Sequence, residues 1–227
     1  MSSTFNIISF FSTTQCMILC PRMFLIIKRG PSVAEIIPAK PVLRTLSNTS
    51  WYNPCVKKLI IICGISFAGK STLGKAIAKR FDYAQVDVDD MKFQLYGHDS
   101  KDENLSHADW VRIYDETDKL LESYLQSGKT VIDASRNFRK SERQLARQIA
   151  TKLEAGVVTI FVDTPEVIAR QRLLENRKKK ARPDVTDKDF EEILQVWEPP
   201  TADENPLVFH NGEDIDNWIS KNISAIS

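Results

Sequence analysis

From residue 58 onward the chain alternates between short runs of branched apolar residues and longer stretches with apolar positions three or four apart. Leu59–Cys63, Ala84–Val88, Thr130–Asp133, Val157–Val162 and Leu207–Phe209 have the length and composition of strands. Between them the helical period recurs, over about Lys70–Phe81, Ser106–Gln126, Arg139–Glu154, Glu166–Arg177, Thr186–Val196 and Asp214–Asn222. The longest of these carries a stripe of Trp110, Ile113, Tyr114, Leu120, Leu121 and Tyr124, and Gly128 ends it. Thr164-Pro165-Glu166 reads as a helix start, with threonine as N-cap, proline at the first position and glutamate in the first turn. Strand–helix alternation with short connections predicts an α/β domain over residues 58–227. Its sheet is parallel and covered by helices on both faces, a three-layer sandwich.

Residues 1–57 have a different character. Pro21, Pro31, Pro38, Pro41 and Pro54 interrupt the apolar runs Ile7–Phe11 and Met23–Ile27. Seven basic residues precede Leu59 and Glu35 is the only acid there, so this segment carries about +6 of a net charge of +1, and the remainder about −5. We read it as a poorly ordered basic leader or an over-extended start with Met23 as a later initiator. A transit peptide is the other reading, though the segment is poor in arginine before Arg22 and has no sustained amphipathic helix. The overall charge makes no electrostatic case for nucleic-acid or membrane attraction, and no apolar run approaches the roughly 20 residues of a membrane-spanning helix. Cys16, Cys20, Cys55 and Cys63 form neither a zinc pattern nor a disulfide framework, which points to a reducing, cytoplasmic setting.

The densest chemistry follows the first strand of the domain. Gly64, Ile65, Ser66, Phe67, Ala68, Gly69, Lys70, Ser71 and Thr72 fit G-x-x-x-x-G-K-[ST], with a buried strand before and a helix-forming run after. The glycines permit a turn that points backbone N–H groups at a polyanion, and the helix N-terminus adds partial positive charge. Lys70 is placed to reach the outer phosphates, and the Ser71 hydroxyl to join a magnesium shell.

In an open parallel sheet ligands gather at the carboxyl ends of the strands. Asp87, Asp89 and Asp90 follow the second strand of the domain, Asp133 ends the third and Asp163 the fourth. Asp89 is the expected proton acceptor; the same position, or Asp90, serves equally as the cap of a helix beginning at Met91. Asp133 is favoured over Asp163 for the magnesium side, because Thr164-Pro165 already gives Asp163 a helix-start context. Arg170, Arg172, Arg177, Lys178–Lys180 and Arg182 form a basic, proline-broken segment suited to a lid over transferring phosphoryl oxygens.

On these residues the chain resembles the P-loop kinases typified by phage polynucleotide kinase and the bacterial predicted kinases, AAA-type ATP-binding proteins. Chloramphenicol phosphotransferase and zeta toxin are more distant relatives of the same group. The resemblance covers about Lys58–Phe209. In VDVDDMKFQLYG it puts Asp89 in the place of the base and Lys92 in that of an acceptor-holding basic residue. That residue is usually arginine, and a lysine lacks its two-pronged phosphate contact, which weakens the case for a nucleic-acid 5′-end substrate. In VIDASRNFRKSER it puts Asp133 and Arg136 at the acceptor or magnesium, with Asn137 and Arg143 nearby. In FVDTPEVIARQRLLENR and WEPPTADE it implies a lid arginine, Arg172 or Arg177, with Arg177 preferred, followed by a P-x-x-x-E stretch. It further implies a five-stranded sheet of order 2-3-1-4-5.

The resulting expectation is an ATP- and Mg2+-dependent kinase that phosphorylates a hydroxyl of a small molecule or a nucleic-acid end. Lys70, Asp89 and Arg177 would be catalytic, Lys92, Asp133 and Arg136 would face the acceptor, and Ser71 and Asp133 the metal. The alternatives are a non-catalytic ATP-dependent switch or partner-binding module, and a zeta-toxin-like sugar-nucleotide kinase. The GTPase base-reading motif N-K-x-D is missing from the sequence.

Overall fold

The computed structural model describes residues 57–98, 100, 102–180 and 184–227 in full, and residues 16–20 and 23–27 as backbone. The chain divides into two units, residues 1–52 and 53–227. In the first, strand β1 (Cys16–Cys20) pairs antiparallel with β2 (Met23–Ile27), Cys16 opposite Ile27 and Cys20 opposite Met23. Apart from Lys57, the rest of the expected leader lies outside the described residues, as does Arg182 of the basic segment.

The second unit is built on β3 (Lys58–Cys63), whose side chains from Leu59 to Cys63 are wholly buried. Alternation sends them to opposite faces. Leu59 and Ile61 pack with Leu121, Leu125, Ala146 and Ala150 of helices α3 (His107–Gln126) and α4 (Lys140–Lys152). Ile60 and Ile62 pack with Leu73 and Ile77 of α1 (Lys70–Phe81), Ala169 and Leu173 of α5 (Glu166–Lys179), Phe190 of α6 (Asp187–Val196) and Trp218 of α7 (Ile215–Lys221). One strand thus joins two apolar layers, and each fully buried side chain on it contributes roughly 1.5–3 kcal/mol.

The remaining strands are β4 (Ala84–Val86), β5 (Val131–Asp133), β6 (Gly156–Asp163) and β7 (Leu207–His210). Every pairing in this sheet is parallel, in the order β4-β5-β3-β6-β7. Counted within the sheet this is 2-3-1-4-5, as the resemblance implied. A short helix α8 (Ile223–Ile226) closes the chain.

Two local expectations are corrected. The second strand of the domain ends at Val86, and α2 (Val88–Tyr96) starts three residues before Met91, because the Asp87 carboxylate caps it by accepting from the Asp89 N–H at 2.9 Å. Thr164 does not cap α5. Pro165 holds that position, and the Thr164 hydroxyl donates to the Ala68 carbonyl at 2.9 Å, tying β6 to the loop after β3.

Candidate active site

The turn between β3 and α1 runs through three positive-φ residues, Gly64 (151°), Phe67 (60°) and Gly69 (114°). A Cβ at Gly64 would lie 2.8 Å from the Val162 carbonyl oxygen, so the backbone approaches β6 as only glycine permits. Ile65, Phe67 and Ala68 are buried, which anchors the loop from below. Lys70 turns inward: its Nζ donates to the carbonyls of Gly64 at 2.9 Å and Ile65 at 3.0 Å, and lies 4.7 Å from the Phe138 ring centroid. Ser71 and Thr72 occupy the first turn of α1.

The neighbouring strand ends bring carboxylates to the same edge. Val86 pairs in register with Asp133, and Asp133 with Ile61, three residues before the loop begins. Asp133 is wholly buried and accepts from Arg136 Nε at 3.2 Å; Arg136 also pairs with Asp118 on α3. Ser135 Oγ accepts from the Val88 N–H at 3.1 Å and lies 3.5 Å from Asp133 Oδ1, linking α2 to the segment after β5. Asp89 sits exposed in the first turn of α2, with Lys92 Nζ 3.8 Å away. Lys92 is buried and donates to Asp102 at 2.8 Å.

Asp87, which caps α2, is partly buried among these acids. Burial pushes its carboxyl up to about 6, and Asp89, Asp90 and Asp133 add to the shift against the helix N–H that it caps. The sign follows from linkage. Between the ordinary carboxylate range and about 6 the folded state holds the proton more tightly, so this contribution to stability is complete at low pH and is lost as pH rises through 6. Asp87→Asn keeps a capping oxygen and removes the charge. It is expected to stabilise the protein at pH 7.5 by on the order of 1–2 kcal/mol, with the gain vanishing near pH 4 in thermal melts.

The basic segment is placed differently from the expectation. Arg177 donates to Asp184 at 3.1 Å and to the Val185 carbonyl at 2.8 Å, and pairs with Asp187 at 2.9 Å, spanning the connection from α5 to α6. The arginine set against the phosphate loop is Arg172. Its Nη1 donates to the Ala68 carbonyl at 2.7 Å and the Phe67 carbonyl at 3.2 Å, and its Nη2 to Asn211 Oδ1 at 2.6 Å. Arg172, Asn211, Gly212, Glu213 and Thr164 line a cavity of about 420 Å³ behind the loop. Asn211 and Gly212 carried no sequence signal, since they follow the last strand without a motif.

Asn137 has a left-handed backbone (φ 77°), is wholly buried, and neither polar atom of its side chain has a partner among the described residues. Each such group costs about 1–3 kcal/mol. Backbone strain and unmatched polarity of this kind concentrate at functional positions. Among the described residues no cluster of three or more His, Cys, Asp or Glu side chains is arranged to hold a metal, and no helix is long and apolar enough to cross a membrane.

A glycine-turned loop of this pattern on a 2-3-1-4-5 parallel sheet defines the P-loop fold. The chain belongs to the AAA_33 family, an AAA domain, which matches residues 59–200. It is 32% identical over 154 residues to the adenylyl-sulfate kinase of Saccharomyces cerevisiae, covering 64% of this chain and 72% of that protein. It is also 32% identical over 97 residues to a gluconokinase of Arabidopsis thaliana, 42% of this chain and about half (51%) of that protein's length. In fold it matches the APS kinase of Mycobacterium tuberculosis with a TM-score of 0.55 and 19% identity, over 74% of this chain and 96% of that one.

Proposed function

We propose that this protein transfers the γ-phosphoryl group of ATP to a hydroxyl of a small-molecule acceptor. The observation that carries this reading is the placement of a phosphate loop, its lysine turned inward, beside Asp133, which ends β5, and Asp87 and Asp89, which follow β4. The positive φ of Gly64 and Gly69 shapes the turn between strand and helix that such a loop needs, which supports a polyphosphate ligand there. The loop N–H groups and the α1 N-terminus bind the triphosphate, and the cavity walled by Arg172, Asn211 and Glu213 takes the nucleoside half.

Asp89 accepts the acceptor's proton as its oxygen attacks the γ-phosphorus, the bond to the β,γ-bridging oxygen breaks, and ADP leaves. Lys92 holds Asp89 from the buried side. Lys70 leaves its two loop carbonyls and neutralises charge on the transferring group. The Ser71 hydroxyl and the Asp133 carboxylate are hard oxygen donors that suit Mg2+. When bound, the ion supplies charge neutralisation at the phosphate oxygens. Arg172, rather than Arg177, is the arginine we assign to the nucleotide side. The setting is cytoplasmic.

Asp89→Asn tests the reading. ATP affinity by calorimetry is expected to stay within a few-fold, while acceptor-dependent ATP consumption falls by roughly 10²–10⁴. Transfer at the wild-type rate would remove Asp89 as the base. ATP binding with no transfer to any hydroxyl compound, in the wild type, would leave a nucleotide-dependent switch.

A further inference from the structure

Among the described residues, Lys92 and Arg136 are the cations beside the acceptor-side carboxylates, and both are already committed. Lys92 Nζ lies 2.8 Å from Asp102 and 3.8 Å from Asp89, and its side chain is 3% exposed. Arg136 lies across Asp133 and Asp118 with its side chain 13% exposed. Each cation therefore faces two carboxylates, and Asp87 and Asp90 add acid to the same edge. An anion arriving at Asp89 meets carboxylates in excess. Drawing Lys92 toward it would strip Asp102 of its partner and leave the lysine's buried charge dependent on the newcomer. An uncharged polyol has no such conflict, because its hydroxyls donate to carboxylates as they stand.

A second feature on this side is aromatic. Tyr114 was expected in the apolar stripe of α3, yet it is 41% exposed. Its ring lies 5.9 Å from the Arg136 guanidinium and 6.0 Å from the Trp110 ring. Arg136 joins that ring to Asp133 and Asp118, so ring and carboxylates share one electrostatic neighbourhood. A half-exposed ring beside hydroxyl-accepting carboxylates suits the apolar face of a sugar or nucleoside.

Resting on the kinase reading above, we propose that the acceptor is an uncharged polyhydroxy compound seated on Tyr114, and that Lys92 and Arg136 are positioning residues that hold Asp89 and Asp133. Gluconate and adenylyl sulfate, the compounds for which the two relatives are named, are both anions, so the proposal separates this chain from them.

The experiment measures ATP consumption by the full chain with matched acceptors: glucose against gluconate, and adenosine against adenylyl sulfate, with a 5′-hydroxyl oligonucleotide as a further anion. The uncharged member of a pair is expected to give at least tenfold higher kcat/KM. Asp102→Asn, which frees Lys92, should narrow that gap at least threefold. Tyr114→Ala should raise KM for the uncharged acceptor about tenfold with kcat within twofold, and Tyr114→Phe should stay near the wild type. Equal or faster turnover with the anions overturns the proposal and leaves the kinase reading standing. An unchanged gap in Asp102→Asn, or an unchanged KM in Tyr114→Ala, overturns it as well. Bound ATP that is transferred to none of these compounds removes the kinase reading, and the proposal with it.

Discussion

Replacing Lys70 by methionine is expected to cut ATP turnover by on the order of 10²–10³, the loss seen when one preorganised charge-stabilising donor is removed from a transfer site. Methionine keeps the length and apolar stem of the side chain. What disappears is the ammonium that holds the Gly64 and Ile65 carbonyls and lies against the Phe138 ring. Those contacts place Nζ within the loop before any phosphate arrives, so little reorganisation is needed when it moves to the ligand. Lys70→Arg should fail nearly as badly, because a planar fork cannot take the place of a compact ammonium in so close a turn. The check is kcat/KM for ATP, together with the rise in Tm on adding ATP, which should shrink sharply in the methionine variant. Wild-type turnover in that variant would mean the loop grips something other than a triphosphate.

The parts of this site that were legible in the sequence are those made by neighbours in the chain. The phosphate loop is one: two glycines, a lysine and a hydroxyl at set spacing, between an apolar run and a helical one. Asp133 is another, since an acid that ends a buried apolar run falls at the edge of a parallel sheet. Strand order was not legible from pattern, because periodicity says which face is buried and nothing about which strand lies alongside; it came with the resemblance. The end of β4 was misplaced because the alternation in VDVDD mimics a strand, whereas one carboxylate–amide bond from Asp87 starts a helix. Thr164 was misread for a related reason. Its hydroxyl had a distant carbonyl, that of Ala68, as a better partner than the local helix end. The choice between Arg172 and Arg177 depended on what each meets across the fold. Arg177 has Asp184 and Asp187 close by in sequence, a local reason to stay on its own helix connection. Arg172 reaches Phe67 and Ala68, more than 100 residues away.

The largest effect on stability is expected from breaking the pair between Arg143 and Glu204. Both side chains are buried, and the contact is two-pronged: Nε to Oε2 at 2.7 Å and Nη2 to Oε1 at 2.9 Å. Glu204 belongs to the short 3-10 turn Ala202–Glu204 in the PPTADE stretch and also accepts from the Thr201 N–H. Removing either partner strands a charge in the interior, so Glu204→Ala should cost about 3–5 kcal/mol. For a domain of this size that lowers Tm by roughly 6–20 °C. The same arginine reaches the neighbour of the phosphate-loop lysine. Its Nη1 donates to the carbonyls of Asn137 at 3.2 Å and Phe138 at 3.4 Å, and Phe138 is the ring under Lys70. Stability and catalysis should therefore separate in the double variant Arg143→Met with Glu204→Leu. An apolar pair of similar volume is expected to recover most of the lost Tm, because no charge is left buried. It cannot hold the two carbonyls, so KM for ATP should remain raised several-fold even where the protein is fully folded. Full recovery of both would make the pair a stability element alone, with no hold on the position of Phe138.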